Sequence, residues 1–143
     1  MPAIYDKMGI HFLYPDNWVL DESSPLEGVQ SVSVHSPGGA FWSIALHDPT
    51  IDPSELAVTA LRALKLEYQD SETEPAHDEY GSLTLSGYDV NFFYLDFTNT
   101  AQIRGFRTPQ ASCLILCQAE DREFEAIGQI FRAITTSLLA TLP

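Results

Sequence analysis

The stretch Val29–His47 limits the possible folds more than any other part of the chain, because it sets a strand pair, its register and its buried side together. Ser36-Pro-Gly-Gly-Ala40 is a strong reversal signal, so Val29–His35 and Phe41–His47 read as the arms of a β-hairpin. Pairing His35 with Phe41 sets Val34 opposite Trp42 and Val32 opposite Ile44, and the large residues at even positions then share one face. Val32, Val34, Trp42, Ile44 and Leu46 make up this expected core face. Ser31, Ser33, His35, Ser43 and His47 occupy the other, with Phe41 and Ala45 as its apolar members.

The elements before and after this hairpin extend the pattern. Residues 1–7 read as a short lead. Ile10, Phe12 and Tyr14 then alternate with His11 and Leu13 as a strand, and Pro15-Asp16-Asn17 reverses the chain into Trp18-Val19-Leu20. Residues 21–28 are polar, turn-rich and without a calcium-loop pattern, which predicts a surface loop. Asp52 as N-cap, Pro53 at the first helical position and Glu55 three residues after the cap predict a helix running to about Tyr68. Its buried stripe is Leu56, Ala60, Leu61, Leu64 and Tyr68.

From Glu67 to Glu79 there are six acidic residues and no Lys or Arg, a composition that suits a solvated connection or an edge strand. A cation site there is the sharper reading, but the carboxylates lack a coordinating pattern. Ser82–Ser86 and Tyr88–Phe97 read as a second hairpin turning at Ser86-Gly87, with Leu83, Leu85, Val90, Phe92 and Tyr94 on one face. Phe93, Leu95 and Phe97 fall on the other, so the second arm is apolar on both sides. Ala101–Thr108 and Ala111–Gln118 continue the meander, with Leu114 and Leu116 opposite Cys113, Ile115 and Cys117. A last helix capped by Asp121 presents Phe124, Ile127, Phe131, Ile134 and Leu138 at spacings of three and four, with Gly128 inside it.

Charge excludes two classes of partner. Twenty acidic against seven basic side chains give a formal net charge of −13, which repels nucleic acid and anionic membrane surfaces. At 143 residues the chain fits one α+β domain, 1–143. It carries no secretory pattern and no apolar run long enough to span a membrane. In an extended strand Cys113 and Cys117 lie about 13 Å apart, too far for a disulfide. Buried free thiols suit a reducing compartment, and the cytoplasm is the expected location.

The residues that could carry chemistry do not converge. His35 and His47 sit at opposite ends of the first hairpin, no metal-spaced His or Cys pair occurs, and no cofactor is expected. The run Cys113-Leu-Ile-Leu-Cys117 argues for packed thiols, not an activated nucleophile. There is no nucleophile elbow, and Gly38-Gly39 leads into a strand and not a helix, so it is a turn and not a phosphate loop. Arg104 and Arg107, three apart in one strand, point to opposite faces, and ion pairing with nearby carboxylates is favoured over a shared anion site.

The stretch Gly9-Ile-His-Phe-Leu-Tyr-Pro-Asp-Asn-Trp18 is similar to the Gly-x-x-Phe-x-x-Pro-x-x-Trp opening of the Mog1/PsbP-like superfamily. The element order and a terminal helix after a cysteine-bearing strand extend the resemblance over nearly the whole chain. It implies a curved antiparallel sheet with helices packed on it. It also implies a non-enzymatic accessory or binding role, as in a Ran-binding import factor, an extrinsic photosystem subunit and bacterial relatives that include secretion chaperones. The metal-binding residues of the photosynthetic members cannot be placed on this sequence, and none is carried over. The expected function is therefore a non-catalytic protein-binding module, with Phe41, Phe93, Leu95 and Phe97 as an acid-rimmed partner surface or a homodimer interface. The alternative is a carrier holding a small hydrophobic ligand or peptide between sheet and helix.

Overall fold

The computed structural model describes residues 2–22 and 29–142; most of the loop expected over 21–28 lies outside the described residues. Strands β1 (Pro2–Lys7) and β2 (Ile10–Pro15) form a two-stranded ribbon. The main sheet contains β3 (Val19–Asp21), β4 (Gln30–His35), β5 (Phe41–His47), β6 (Ser71–Tyr80), β7 (Leu83–Tyr94), β8 (Phe97–Arg107) and β9 (Ser112–Glu120). Its order is β3-β4-β5-β9-β8-β7-β6, antiparallel throughout. Helix α1 (Pro53–Glu67) follows β5, and α2 (Asp121–Ala140) follows β9.

The first hairpin has the predicted register, His35 against Phe41 and Val32 against Ile44, and Val32, Val34, Trp42 and Ile44 are buried. Residues 1–7 are not merely a lead. Lys7 pairs with Ile10 across Met8-Gly9, both at positive φ (59° and 75°), and Tyr5 stacks on Phe12 with ring centroids 5.0 Å apart. Methionine is an unusual left-handed turn residue, and Tyr5 is the one fully buried side chain in β1, so neither turn chemistry nor periodicity marked this strand.

The expected reversal at Ser86-Gly87 is also absent. Gly87 lies within the continuous twelve-residue β7. The chain turns instead at Gly81 (φ 64°), between the paired Tyr80 and Leu83, and at Leu95-Asp96. Gly87 serves close approach: a Cβ there would sit 1.9 Å from the carbonyl oxygen of Ile103. Because the strand runs straight through, Leu85 faces one side of the sheet while Val90 and Phe92 face the other, not the single side expected.

The sheet thus separates two cores. On one face, α2 and the β1–β2 ribbon cover Val34, Trp42, Ile44, Leu85, Ile115 and Cys117, with Phe131, Ile134 and Leu138 packed down from the helix. On the other face, α1 covers Val90, Phe92, Ala101 and Ile103 with Ala57 and Leu64. The helix entry is as predicted, with Asp52 accepting from the Ser54 amide at 2.9 Å and Pro53 opening α1. Asp121 is not the cap of α2. β9 runs directly into the helix, Glu120 holds the N-cap position without a side-chain capping bond, and Asp121 accepts from Thr100 Oγ1 at 2.6 Å. The acidic segment is an edge strand: β6 carries Glu72, Glu74, Asp78 and Glu79, with Pro75 in its middle.

Candidate functional site

The β7–β8 hairpin closes on the pair Tyr94–Phe97, leaving Leu95 and Asp96 as a two-residue turn with φ of 51° and 67°. Turns with two successive positive φ angles favour Asn-Gly, and a side chain such as leucine in the left-handed region costs about 1–2 kcal/mol. Leu95 is nevertheless there, and it is 73% exposed. Phe93 (66%), Tyr94 (52%) and Phe97 (39%) are exposed beside it, so four of the seven exposed large hydrophobics among the described residues crowd one hairpin tip. Isolated apolar residues on a surface are ordinary; contiguous ones mark contact sites.

The tip is braced from both sides. Tyr68, the C-cap of α1, stacks on Phe92 at 4.0 Å and meets Tyr94 edge-on at 5.8 Å. The Arg122 guanidinium lies 4.1 Å from the centre of the Phe97 ring and pairs with Glu120 at 2.7 Å. Buried Asn99 donates to the Phe97 carbonyl at 3.1 Å, tying down the start of β8.

Of the four residues expected to share one sheet side, the structure brings three to this tip, but not on one face. Phe97 pairs with Tyr94 and therefore points opposite to Phe93, while Leu95 sits in the turn. Phe41 is elsewhere: it is half-buried in β5, three strands from β7, with its ring 5.6 Å from that of His35. Tyr94, which sequence reasoning placed on the face opposite Phe93 with Leu83, Leu85, Val90 and Phe92, joins the tip. The signal that could have found it is Asp96, a turn-favouring residue between the apolar run Phe92–Leu95 and Phe97.

A second feature is a cavity of about 320 Å³ between the sheet and α2, lined by Tyr80, Gln102, Arg104, Cys117 and Arg132 among others. Arg104 is buried, and its ion pairing follows the expectation: Nε donates to Asp78 at 2.9 Å and Nη2 to Asp89 at 2.8 Å. Nη1 donates to the carbonyls of Tyr88 and Ile103. A guanidinium offers five N–H donors, so four engaged donors leave little for a bound anion. Arg107 instead donates to the Ile51 carbonyl at 3.0 Å.

An apolar groove of about 530 Å³ runs between the β1–β2 ribbon and α2, lined by Leu13, Tyr14, Pro15, Ile130, Ala133 and Ile134. Cys113 and His47 border a further cavity near Asp48. Burial pushes the Cys113 thiol up to about 11 and His47 below its ordinary value, so this thiol is protonated at neutral pH and is not an activated nucleophile. Burial raises Cys117 further still. Among the described residues no three His, Cys, Asp or Glu side chains are grouped to hold a metal ion, and no helix is long and apolar enough to cross a membrane.

An antiparallel sheet flanked by two helices is the α+β arrangement of the Mog1/PsbP-like fold, and solved structures of that fold match this chain over nearly its whole length. The chain is similar to cyanobacterial PsbP from Synechocystis (TM-score 0.65, 11% identity, 95% of this chain and 90% of that one). It is also similar to the Ran-binding protein Mog1p of Saccharomyces cerevisiae (TM-score 0.61, 10% identity, 96% and 94%). A third similar structure is PA94 of Pseudomonas aeruginosa, a protein of unknown function described as a putative regulator (TM-score 0.53, 10% identity, 96% and 95%). At such identities the likeness shows the fold alone. No protein-family model and no curated protein sequence matches the chain.

Proposed function

We propose that this chain is a non-catalytic protein-binding or accessory module that engages its partner through the β7–β8 tip, with Phe93, Leu95 and Phe97 as anchors and Tyr94 among them. The observation carrying this reading is Leu95, an exposed apolar side chain at a left-handed turn position. The left-handed position costs stability, and local strain that persists concentrates where function needs it. That Mog1p, a Ran-binding protein, shares the fold supports a protein partner. Phe41, set apart in β5, is assigned no role at the tip. The buried free thiols Cys113 and Cys117 support a reducing, cytoplasmic setting.

The test compares the native chain with Phe93→Asp and Leu95→Asn in capture from native lysate. Loss of one specific partner, with circular dichroism unchanged, supports the reading; retention of every partner overturns it. Native mass distinguishes a partner from a second copy. The apolar groove beside α2 favours a second reading, a carrier for a small hydrophobic ligand or peptide. An apolar ligand that raises the melting temperature of the native chain, but not of Ala133→Glu in that groove, would establish it.

A further inference from the structure

We infer that the partner seated on the β7–β8 tip is a basic polypeptide surface, an apolar recess flanked by Lys or Arg side chains. This rests on the tip being the docking surface and names the chemistry that fits it. The apolar centre is ringed by carboxylates. Asp96 is in the turn itself, and Glu72 is cross-strand from Asn91, two residues before Phe93. Asp70 directly precedes β6, whose first residue Ser71 is paired with Phe92. Asp121 is held against the same end of the sheet by Thr100, which pairs with Asn91. Among the described residues Asp70, Glu72 and Asp96 are in no ion pair, and Arg122, a cation at the rim, is already matched by Glu120.

This ring chooses between occupants. A second copy would bring an equal charge of −13 and its own carboxylate ring against the first, and like charges across an interface oppose association. An anionic bilayer is repelled for the same reason, although exposed aromatics alone would suit a membrane surface. A basic rim around an apolar recess satisfies both the anchors and the ring, and gains association rate from electrostatic steering.

The experiment uses two labelled synthetic peptides with the same Leu and Trp anchors, one flanked by Lys and Arg and one by Glu. Each is titrated by fluorescence anisotropy into the full chain, Leu95→Asn, and the combined Asp70→Asn, Glu72→Gln, Asp96→Asn variant. The inference expects the basic peptide alone to bind, with Kd weakening roughly tenfold between low and physiological salt. It also expects a clear loss of affinity in the carboxylate variant and near-complete loss in Leu95→Asn. Equal binding of both peptides, lost in Leu95→Asn, overturns the basic-partner inference and leaves the tip reading standing. Binding of the basic peptide that survives Leu95→Asn overturns both, because the acidic surface alone then accounts for it. No binding of either peptide, capture by phosphatidylcholine vesicles only, or concentration-dependent self-association lost in Leu95→Asn each overturns the inference.

Discussion

The indole Nε1 of Trp42 donates to Thr135 Oγ1 at 3.0 Å, joining the start of β5 to the buried side of α2 across 93 positions of sequence. Both residues are buried, so removing the acceptor leaves the indole N–H without its protein partner. Thr135→Val keeps the shape and deletes the acceptor, and leaving a buried donor unpaired costs about 1–3 kcal/mol. Urea unfolding should show that loss for Thr135→Val and much less for Thr135→Ser. Equal midpoints for the valine variant and the native chain would refute the assignment.

Arg104 fills a buried position with four directed bonds, and lysine cannot reproduce the fork. Arg104→Lys should therefore be strongly destabilising. Arg104→Met, which strands Asp78 and Asp89 without their partner, should cost about 3 kcal/mol or more. Replacing both carboxylates along with the arginine, as Arg104→Met with Asp78→Leu and Asp89→Leu, should recover part of that loss. Additive losses across the three positions would mean that they do not act as a unit.

Gly81 and Gly87 separate the two accounts of β7. At Gly81 the backbone is left-handed with open space around the site, so Gly81→Ala should cost about 1 kcal/mol. At Gly87 the added carbon would collide with backbone, and the loss should exceed the roughly 1–3 kcal/mol typical of overpacking. Denaturation midpoints in the opposite order would restore the turn at Gly87.

Leu95 offers a test in which stability and function move apart. Leu95→Asn relieves the left-handed strain and removes an exposed apolar group, so it should raise stability by up to about 1 kcal/mol. The same change should weaken partner binding. A variant that is less stable than the native chain would remove strain as the reason for noticing this residue.

The thiols give a pH dependence. Cys113 is held up to about 11 in the fold against 9.0 for a free thiol, so between these values the unfolded chain releases its proton first. The unfolded state then binds fewer protons than the native state, and stability falls as pH rises from about 9 to about 11. Cys117, raised by complete burial, adds to the fall in the same direction. Guanidinium midpoints across this range should drop less steeply in Cys113→Ala than in the native chain, whatever the offset at neutral pH.

Where the sequence carried a local physical cause, its reading held. The hairpin register followed from one turn and the size of its even-numbered residues, and the entry of α1 from Asp52, Pro53 and Glu55. The reading failed where a glycine had two possible uses. Gly87 carries the sequence sign of a turn, yet its role is to let β7 and β8 approach, which depends on a backbone sixteen or more residues away. The tip was legible as an excess of apolar residues in Phe92–Phe97. Which of them are exposed was not, because a turn at Leu95-Asp96 lacks the usual Asn-Gly, and without its location the alternation of faces cannot be counted from the correct end.

The acidic β6 has a consequence for behaviour at high concentration. It is the long outer strand of the sheet, and its free backbone groups would template addition of another chain if they were bare. Pro75 removes one donor, and the flanking carboxylates make any approaching identical edge repulsive. At high salt, where repulsion between those carboxylates is screened, that electrostatic guard is weakened and the proline is left. Edge-to-edge stacking into insoluble β-rich aggregates is then the expected failure at high protein concentration.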